Sequence, residues 1–164
     1  MIVSASELDA IRRQAVEEYP EESCGVIFVR EAERVLLRCR NDQNAKHAED
    51  PKRYPRDART AYNIHGDDLK RIMQLEAKGF SMAVIYHSHV DVGAYFSETD
   101  RKQALVSGYL DPVYIVTSVT ARGVEATAAF RWDAEHQAFT PIELVVGDPG
   151  CTVSESQRGA ENKQ

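Results

Sequence analysis

No apolar run in this chain of 164 residues approaches the length of a transmembrane helix, so a protein that crosses a membrane by helices is not expected. The opening MIVSASELDAIRR lacks the apolar stretch of a signal peptide, and the expected location is the cytoplasm, with no membrane partner. Cysteine is scarce. Cys24, Cys39 and Cys151 are odd in number and lack framework spacing, which argues against a disulfide-stapled fold and for reduced thiols. An excess of positive charge is missing as well. The formal net charge is −6 and the pI is near 5.4, and a nucleic-acid partner, which needs a positive surface, is not expected. Internal repeats and a convincing domain boundary are also lacking. What is present is ordinary for a globular domain: 43% apolar and 28% charged residues. A chain of this size buries roughly 70% of its unfolded surface, enough for one core without disulfides. The expectation is one domain over residues 1–146 and a polar, flexible tail over 147–164.

Local signals then divide the domain. Ser4 and Glu7 form a capping-box pattern ahead of Leu8, Ile11, Ala15, Val16 and Tyr19 at helical spacing, and Pro20 stops that helix. CGVIFVR (24–30) and RVLLRCR (34–40) read as two strands joined by a short charged turn. Residues 41–61 are polar, contain Pro51 and Pro55, and read as a long loop of the kind that often carries function. Asp67 can cap a second helix, and Gly79 is placed to end it. Residues 82–89 read as a mostly apolar strand, central in the sheet. Ser97 opens a third helix that ends near Gly108. Strands follow at 113–119, 124–132 and 138–146, the first two joined by a turn at Ala121, Arg122 and Gly123. The order predicts an α/β (α+β) fold, a mixed β-sheet flanked by helices.

The most informative segment is HSHVDVGAYFSETD, from His87 to Asp100. On a strand, the two-residue side-chain period puts His87 and His89 on one face. Asp100, in the first turn of the next helix, can add a carboxylate. Two imidazoles and one carboxylate suit zinc, and three protein ligands leave a fourth position for water, as in a catalytic rather than a structural site. Such a hydrolase needs a base within reach of that water. Glu22, at the entry to the strand 24–30, is the candidate, with Gly25 permitting close backbone approach. Glu21 is the runner-up, less favoured by its spacing to Gly25. Ser97, just ahead of Asp100, offers a hydroxyl to a developing oxyanion.

Taken together, E-S-C-G at 22–25, H-S-H at 87–89 and S-E-T-D at 97–100 resemble the JAMM (MPN+) metalloprotease family, and the resemblance spans roughly residues 1–146. It implies a cytidine-deaminase-like JAMM/MPN fold. It also implies a zinc cofactor on His87, His89 and Asp100, Glu22 as acid/base and Ser97 as the oxyanion-stabilising hydroxyl. Members of the family cleave peptide or isopeptide bonds, often after the C-terminal Gly-Gly of ubiquitin-like proteins. A short chain like this is similar to the bacterial branch, some of which acts on ubiquitin-like sulfur-carrier proteins; such a carrier is the expected partner. Val90 departs from the pattern, since the family usually has a proline there that would stiffen the turn leaving the strand. The alternatives are a catalytically inactive binding module of the same fold and a zinc amidohydrolase of small molecules.

Other features have plainer readings. H-S-H-V-D also begins like a metallo-β-lactamase signature, but Val92 stands where that pattern needs histidine. Ser97 and Asp100 also form a capping box, a role compatible with service to the site. His47, His65 and His136 read as ordinary histidines, Cys24 as a small buried residue, Cys39 as inert and Cys151 as a tail residue open to solvent. Lys46, Lys52, Arg53, Arg56 and Arg59 read as a solvated basic face, with steering of an acidic protein as the second possibility.

Overall fold

A computed structural model describes residues 1–147 and the strand 152–154. Its strands are β1 (Val3–Ser4), β2 (Cys24–Arg30), β3 (Glu33–Cys39), β4 (Ser81–Val90), β5 (Val113–Thr120), β6 (Gly123–Asp133), β7 (Ala138–Ile142), β8 (Val146–Gly147) and β9 (Thr152–Ser154). Its helices are α1 (Ala5–Glu18), α2 (Gln43–Glu49), α3 (Gly66–Ala77) and α4 (Glu98–Ser107). A seven-stranded sheet runs in the order β7-β6-β5-β4-β2-β3-β9, with β4 in the middle. The pairs β4–β5 and β3–β9 are parallel and the rest antiparallel, so the sheet is mixed, as expected.

Strand alternation sorts the core onto two faces. Val84, Tyr86, Ile27 and Ile115 pack with Ile11 of α1. On the other face, Cys24, Val26, Phe28 and Leu37 pack with Ile72 and Leu75 of α3, and Ile85, Tyr114 and Val116 pack with Ala104 of α4. His87 and His89 follow Ile85 at two-residue steps, so β4 sends them toward the α3/α4 side.

Both capping boxes form, at Ser4/Glu7 and Ser97/Asp100. Gly79 and Gly108, with φ of 84° and 76°, follow α3 and α4, in the left-handed region where glycine is at ease. Gly25 answers a different need. It pairs with Tyr86 across β2 and β4, and a Cβ there would lie 2.1 Å from the Tyr86 hydroxyl oxygen.

Four expectations are corrected. Residues 41–61 are not all loop, since α2 occupies 43–49. The Asn41 side-chain oxygen accepts N–H bonds from Gln43 and Asn63, which holds the start of this helix against the segment that leads to α3. The cap of α3 is His65, whose Nδ1 accepts the Asp67 N–H at 3.1 Å, with Asp67 inside the first turn. The strand expected at 138–146 stops at Ile142, because the chain then turns to β1, where Val145 O accepts the Ile2 N–H and β8 pairs in parallel. Of the tail, Thr152–Ser154 pairs with β3 as an edge strand. The rest of the tail, Cys151 included, lies outside the described residues. No helix among the described residues is long and apolar enough to cross a membrane.

Candidate metal centre

His87 and His89 stand at the C-terminal end of the central strand, and Asp100 is the third residue of α4. The loop between them folds the start of the helix back over the strand end. His87 Nε2 is 3.1 Å from Asp100 Oδ1, His89 Nε2 is 3.2 Å from Asp100 Oδ2, and the two Nε2 atoms are 3.2 Å apart. The three residues are only 1%, 4% and 7% exposed. Ligands about 2.0–2.1 Å from a tetrahedral zinc stand roughly 3.3 Å from one another, so this donor set is already spaced for such an ion. Two imidazoles aimed at each other and at one carboxylate, away from water, have little other use.

Neighbours hold each ligand in place. His89 Nδ1 is 3.0 Å from Gly93 O, a contact that sets the tautomer leaving Nε2 free to bind metal. The Tyr95 ring meets His89 edge-on at 4.9 Å, and Tyr62 stacks on His87 at 4.7 Å. His87 Nδ1 is buried without a hydrogen-bond partner among the described residues, so the stack and the strand orient this ring. Val90 ends β4, paired with Val119. The turn after it is fixed without a proline. Val119 O accepts the Asp91 N–H, the Ser118 hydroxyl donates to Val92 O, and the Tyr19 hydroxyl donates to the Asp91 carboxylate.

Burial by itself would raise the Asp100 carboxyl. The charge on His87, hydrogen bonds to His87 and His89 and the Ser97 N–H outweigh it and hold the group well below the usual carboxylate range. The Ser97 N–H donates to Asp100 Oδ2 at 2.9 Å, and the Asp100 N–H donates to Ser97 Oγ at 3.0 Å. With one lone pair so used, the Ser97 O–H is left to donate elsewhere.

Glu22 lies beside this group. Its backbone is fixed by bonds from its N–H to Ala58 O (2.7 Å) and from Asn41 Nδ2 to its carbonyl (2.9 Å). The residue is only 6% exposed. Burial, assisted by the charge on Asp100 and opposed by Arg56, pushes its carboxyl up to about 9. Glu22, His89, Ser97 and Asp100 line one cavity of about 120 Å³. His87 does not line this cavity but meets His89 and Asp100 behind it.

Sequence reading did not foresee the rest of the lining. Arg56, Arg59 and Thr60 come from the segment after α2, and Tyr95 from the loop before α4. The basic segment therefore has two parts. Arg56 and Arg59 reach the cavity, whereas Lys46 and Arg53 lie over the Tyr54 ring. A larger cavity of about 430 Å³ opens between α3 and α4 and counts Tyr62 among its walls. It holds none of the metal-ligating or acid/base groups.

The remaining candidates are structural. Cys24 and Cys39 are buried free thiols, and burial pushes Cys39 to about 12 and Cys24 well above its ordinary value, which leaves neither a nucleophile. His47 Nδ1 meets Tyr54 O. Asp133, Glu135 and His136 also lie within ligand distance of one another, but on an exposed turn where Asp133 accepts the backbone N–H groups of both neighbours and pairs with His136.

Residues 4–135 match a family described as prokaryotic homologs of the JAB domain. No curated protein matches. A solved structure of a protein from Salinibacter ruber is similar at 25% identity and a TM-score of 0.58, covering 91% of this chain and 93% of that one. A second, from Desulfitobacterium hafniense, shares the fold at 13% identity and a TM-score of 0.52, covering 89% and 92%.

Proposed function

The chain belongs to the family of prokaryotic homologs of the JAB domain, and on that premise we propose that it is a zinc-dependent metallopeptidase. Its substrate on this reading is a peptide or isopeptide bond at the C-terminal Gly-Gly of a ubiquitin-like, sulfur-carrier protein. The observation that carries the proposal is the convergence of His87, His89 and Asp100 on one point, with His89 and Asp100 in a cavity wall shared with Glu22 and Ser97.

His87, His89 and Asp100 would hold the ion, which when bound supplies Lewis-acid chemistry, acidifying water and polarising a carbonyl. Glu22 takes the proton from the attacking water and returns it to the leaving nitrogen. Its burial makes its carboxylate a stronger base than an exposed one. The Ser97 hydroxyl donates to the oxyanion that forms as the carbonyl is attacked. The narrow cavity, walled by Val92 and Tyr95, favours glycine at the scissile position. The apolar groove between α3 and α4, with Leu69 and Val106 exposed on its rim, favours a protein over a small molecule as carrier of that bond. The buried reduced thiols support a cytoplasmic setting.

The test combines elemental analysis with turnover. Wild type should carry about one zinc per chain, and Glu22→Gln should keep the metal and lose cleavage of a Gly-Gly-terminated protein conjugate. Full activity in Glu22→Gln, or no metal uptake even with added zinc, would refute the proposal. Binding of the conjugate without cleavage would leave a binding module.

A further inference from the structure

The turn that leaves β4 reaches back to one of the ligands. His89 Nδ1 meets Gly93 O at 3.0 Å, and that contact decides which ring nitrogen faces the other ligands. The carbonyl that makes it cannot hold itself in place. Gly93 is exposed, and glycine has the widest choice of backbone angles of any residue. Its position therefore depends on the residues before it. Asp91 has a φ of 59°, in the left-handed region that residues other than glycine enter at a cost, although aspartate tolerates it better than most. The chain needs outside holds to keep that conformation.

Two of those holds come from the sheet. The Asp91 N–H donates to Val119 O at 2.9 Å, and the Ser118 hydroxyl donates to Val92 O. Both reach the turn from β5. The third comes from a different element. Tyr19, the residue that ends α1, stands 72 positions earlier in the chain, and its hydroxyl is 3.0 Å from Asp91 Oδ1 and 3.1 Å from Oδ2. A phenol aimed between both oxygens of a carboxylate makes a charge-assisted bond, stronger than one between neutral groups. Among the described residues no cation pairs with Asp91, so Tyr19 is the side chain that holds this carboxylate.

We propose that Tyr19 is a positioning residue of the metal centre: by holding the Asp91 carboxylate it fixes the turn 91–93, and the Gly93 carbonyl then keeps His89 Nε2 toward His87 and Asp100. This rests on the metal reading above. Among the described residues Tyr19 makes no hydrogen bond or ring contact with any of the three ligands. Its effect reaches the ion through Asp91, the Gly93 carbonyl and the His89 ring, in that order. Helix α1 thereby takes part in a site to which it gives no ligand. His87 is an internal control. Its Nδ1 has no partner among the described residues and Tyr62 stacks on its ring, so the turn has no hold on it.

The experiment measures zinc affinity, by competition with a chelator, in wild type and in variants of the two residues. Tyr19→Phe removes the hydroxyl alone and should lose about tenfold in affinity, the low end for groups that orient metal ligands. Asp91→Gly leaves the left-handed turn open to the backbone but removes the acceptor. In that background Tyr19→Phe should cost nothing further, because the bond is already gone. Asp91→Asn, whose amide oxygen still accepts from Tyr19, should keep most of the affinity. In zinc-loaded protein, NMR should show the His89 Nδ1 proton exchanging faster in Tyr19→Phe and the His87 Nδ1 proton unchanged. A general loosening of the fold would move both. Wild-type affinity in Tyr19→Phe, a full further loss in the Asp91→Gly background, or equal change at both ring protons would overturn the proposal. No zinc uptake by wild type would refute the metal reading instead. Amide exchange in the metal-free protein then decides the role of Tyr19: a faster Asp91 amide in Tyr19→Phe keeps its hold on the turn, and an unchanged rate overturns it.

Discussion

Ser97 and Asp100 cap each other. The Ser97 N–H donates to Asp100 Oδ2 at 2.9 Å, the Asp100 N–H donates to Ser97 Oγ at 3.0 Å, and the same Oδ2 lies 3.2 Å from His89 Nε2. The start of α4 and the third ligand of the metal centre are therefore one structure. Helix formation aims the carboxylate, and the carboxylate in turn satisfies a backbone donor that a helix start leaves unpaired.

Ser97→Ala therefore has two separable effects. Loss of the cap should cost about 1 kcal/mol of stability, read by thermal unfolding. Loss of the oxyanion donor should lower kcat by about 10²-fold or more. Ser97→Thr restores the cap and should recover the stability. A stability loss with kcat unchanged would confine Ser97 to capping.

Metal should stabilise the fold through the same three ligands. With zinc at about 100 times its dissociation constant, wild type should gain roughly 2.7 kcal/mol, visible as a rise in Tm. His89→Ala and Asp100→Ala should abolish that rise. A zinc-dependent rise that survives in both variants would place the ion elsewhere.

Glu22 makes the metal-free protein pH-sensitive. Its carboxyl goes from 4.5 in the unfolded chain to about 9 when buried, so the folded state holds a proton the unfolded chain has released. The sign follows: this contribution is whole below pH 4.5 and is lost as pH rises toward 9. Metal-free Glu22→Gln, which never ionises, should match wild type near pH 4.5 and gain on it above, by at most about 1.4 kcal/mol per pH unit. Denaturant melts across that range check this, and parallel pH profiles would show that Glu22 is solvated.

The ligands could be read from sequence because local rules place them. Strand period puts His87 and His89 together, and a capping box puts Asp100 in the first turn of α4. Arg56 and Arg59 of the cavity wall could not be placed that way. Their position depends on Ala58 bonding to Glu22 across a long stretch of chain, and nothing in a polar, proline-containing segment announces that contact. Helix α2 escaped notice for a similar reason, since Asn41 stabilises its start while bridging to Asn63. Tyr62 and Tyr95 belong to no motif, and only the fold sets them against His87 and His89.

Gly25 shows the same limit, because a close approach was foreseen there without its partner. The Tyr86 ring lies across Gly25, and its hydroxyl donates to Gln14 Oε1 at 2.6 Å, which ties β4 to α1 directly behind His87. Gly25→Ala puts a Cβ 2.1 Å from that hydroxyl oxygen, and the ring is fully buried. Overpacking of this kind costs about 1–3 kcal/mol or more. Since Tyr86 adjoins His87 in β4, zinc affinity should fall with stability. Tyr86→Ala alone opens a cavity at about 3–5 kcal/mol. Combined with Gly25→Ala it removes the clash, so the double variant should be more stable than the sum of the two losses predicts. Simple additivity in chemical denaturation would mean that Gly25 is there for its backbone and not for the tyrosine.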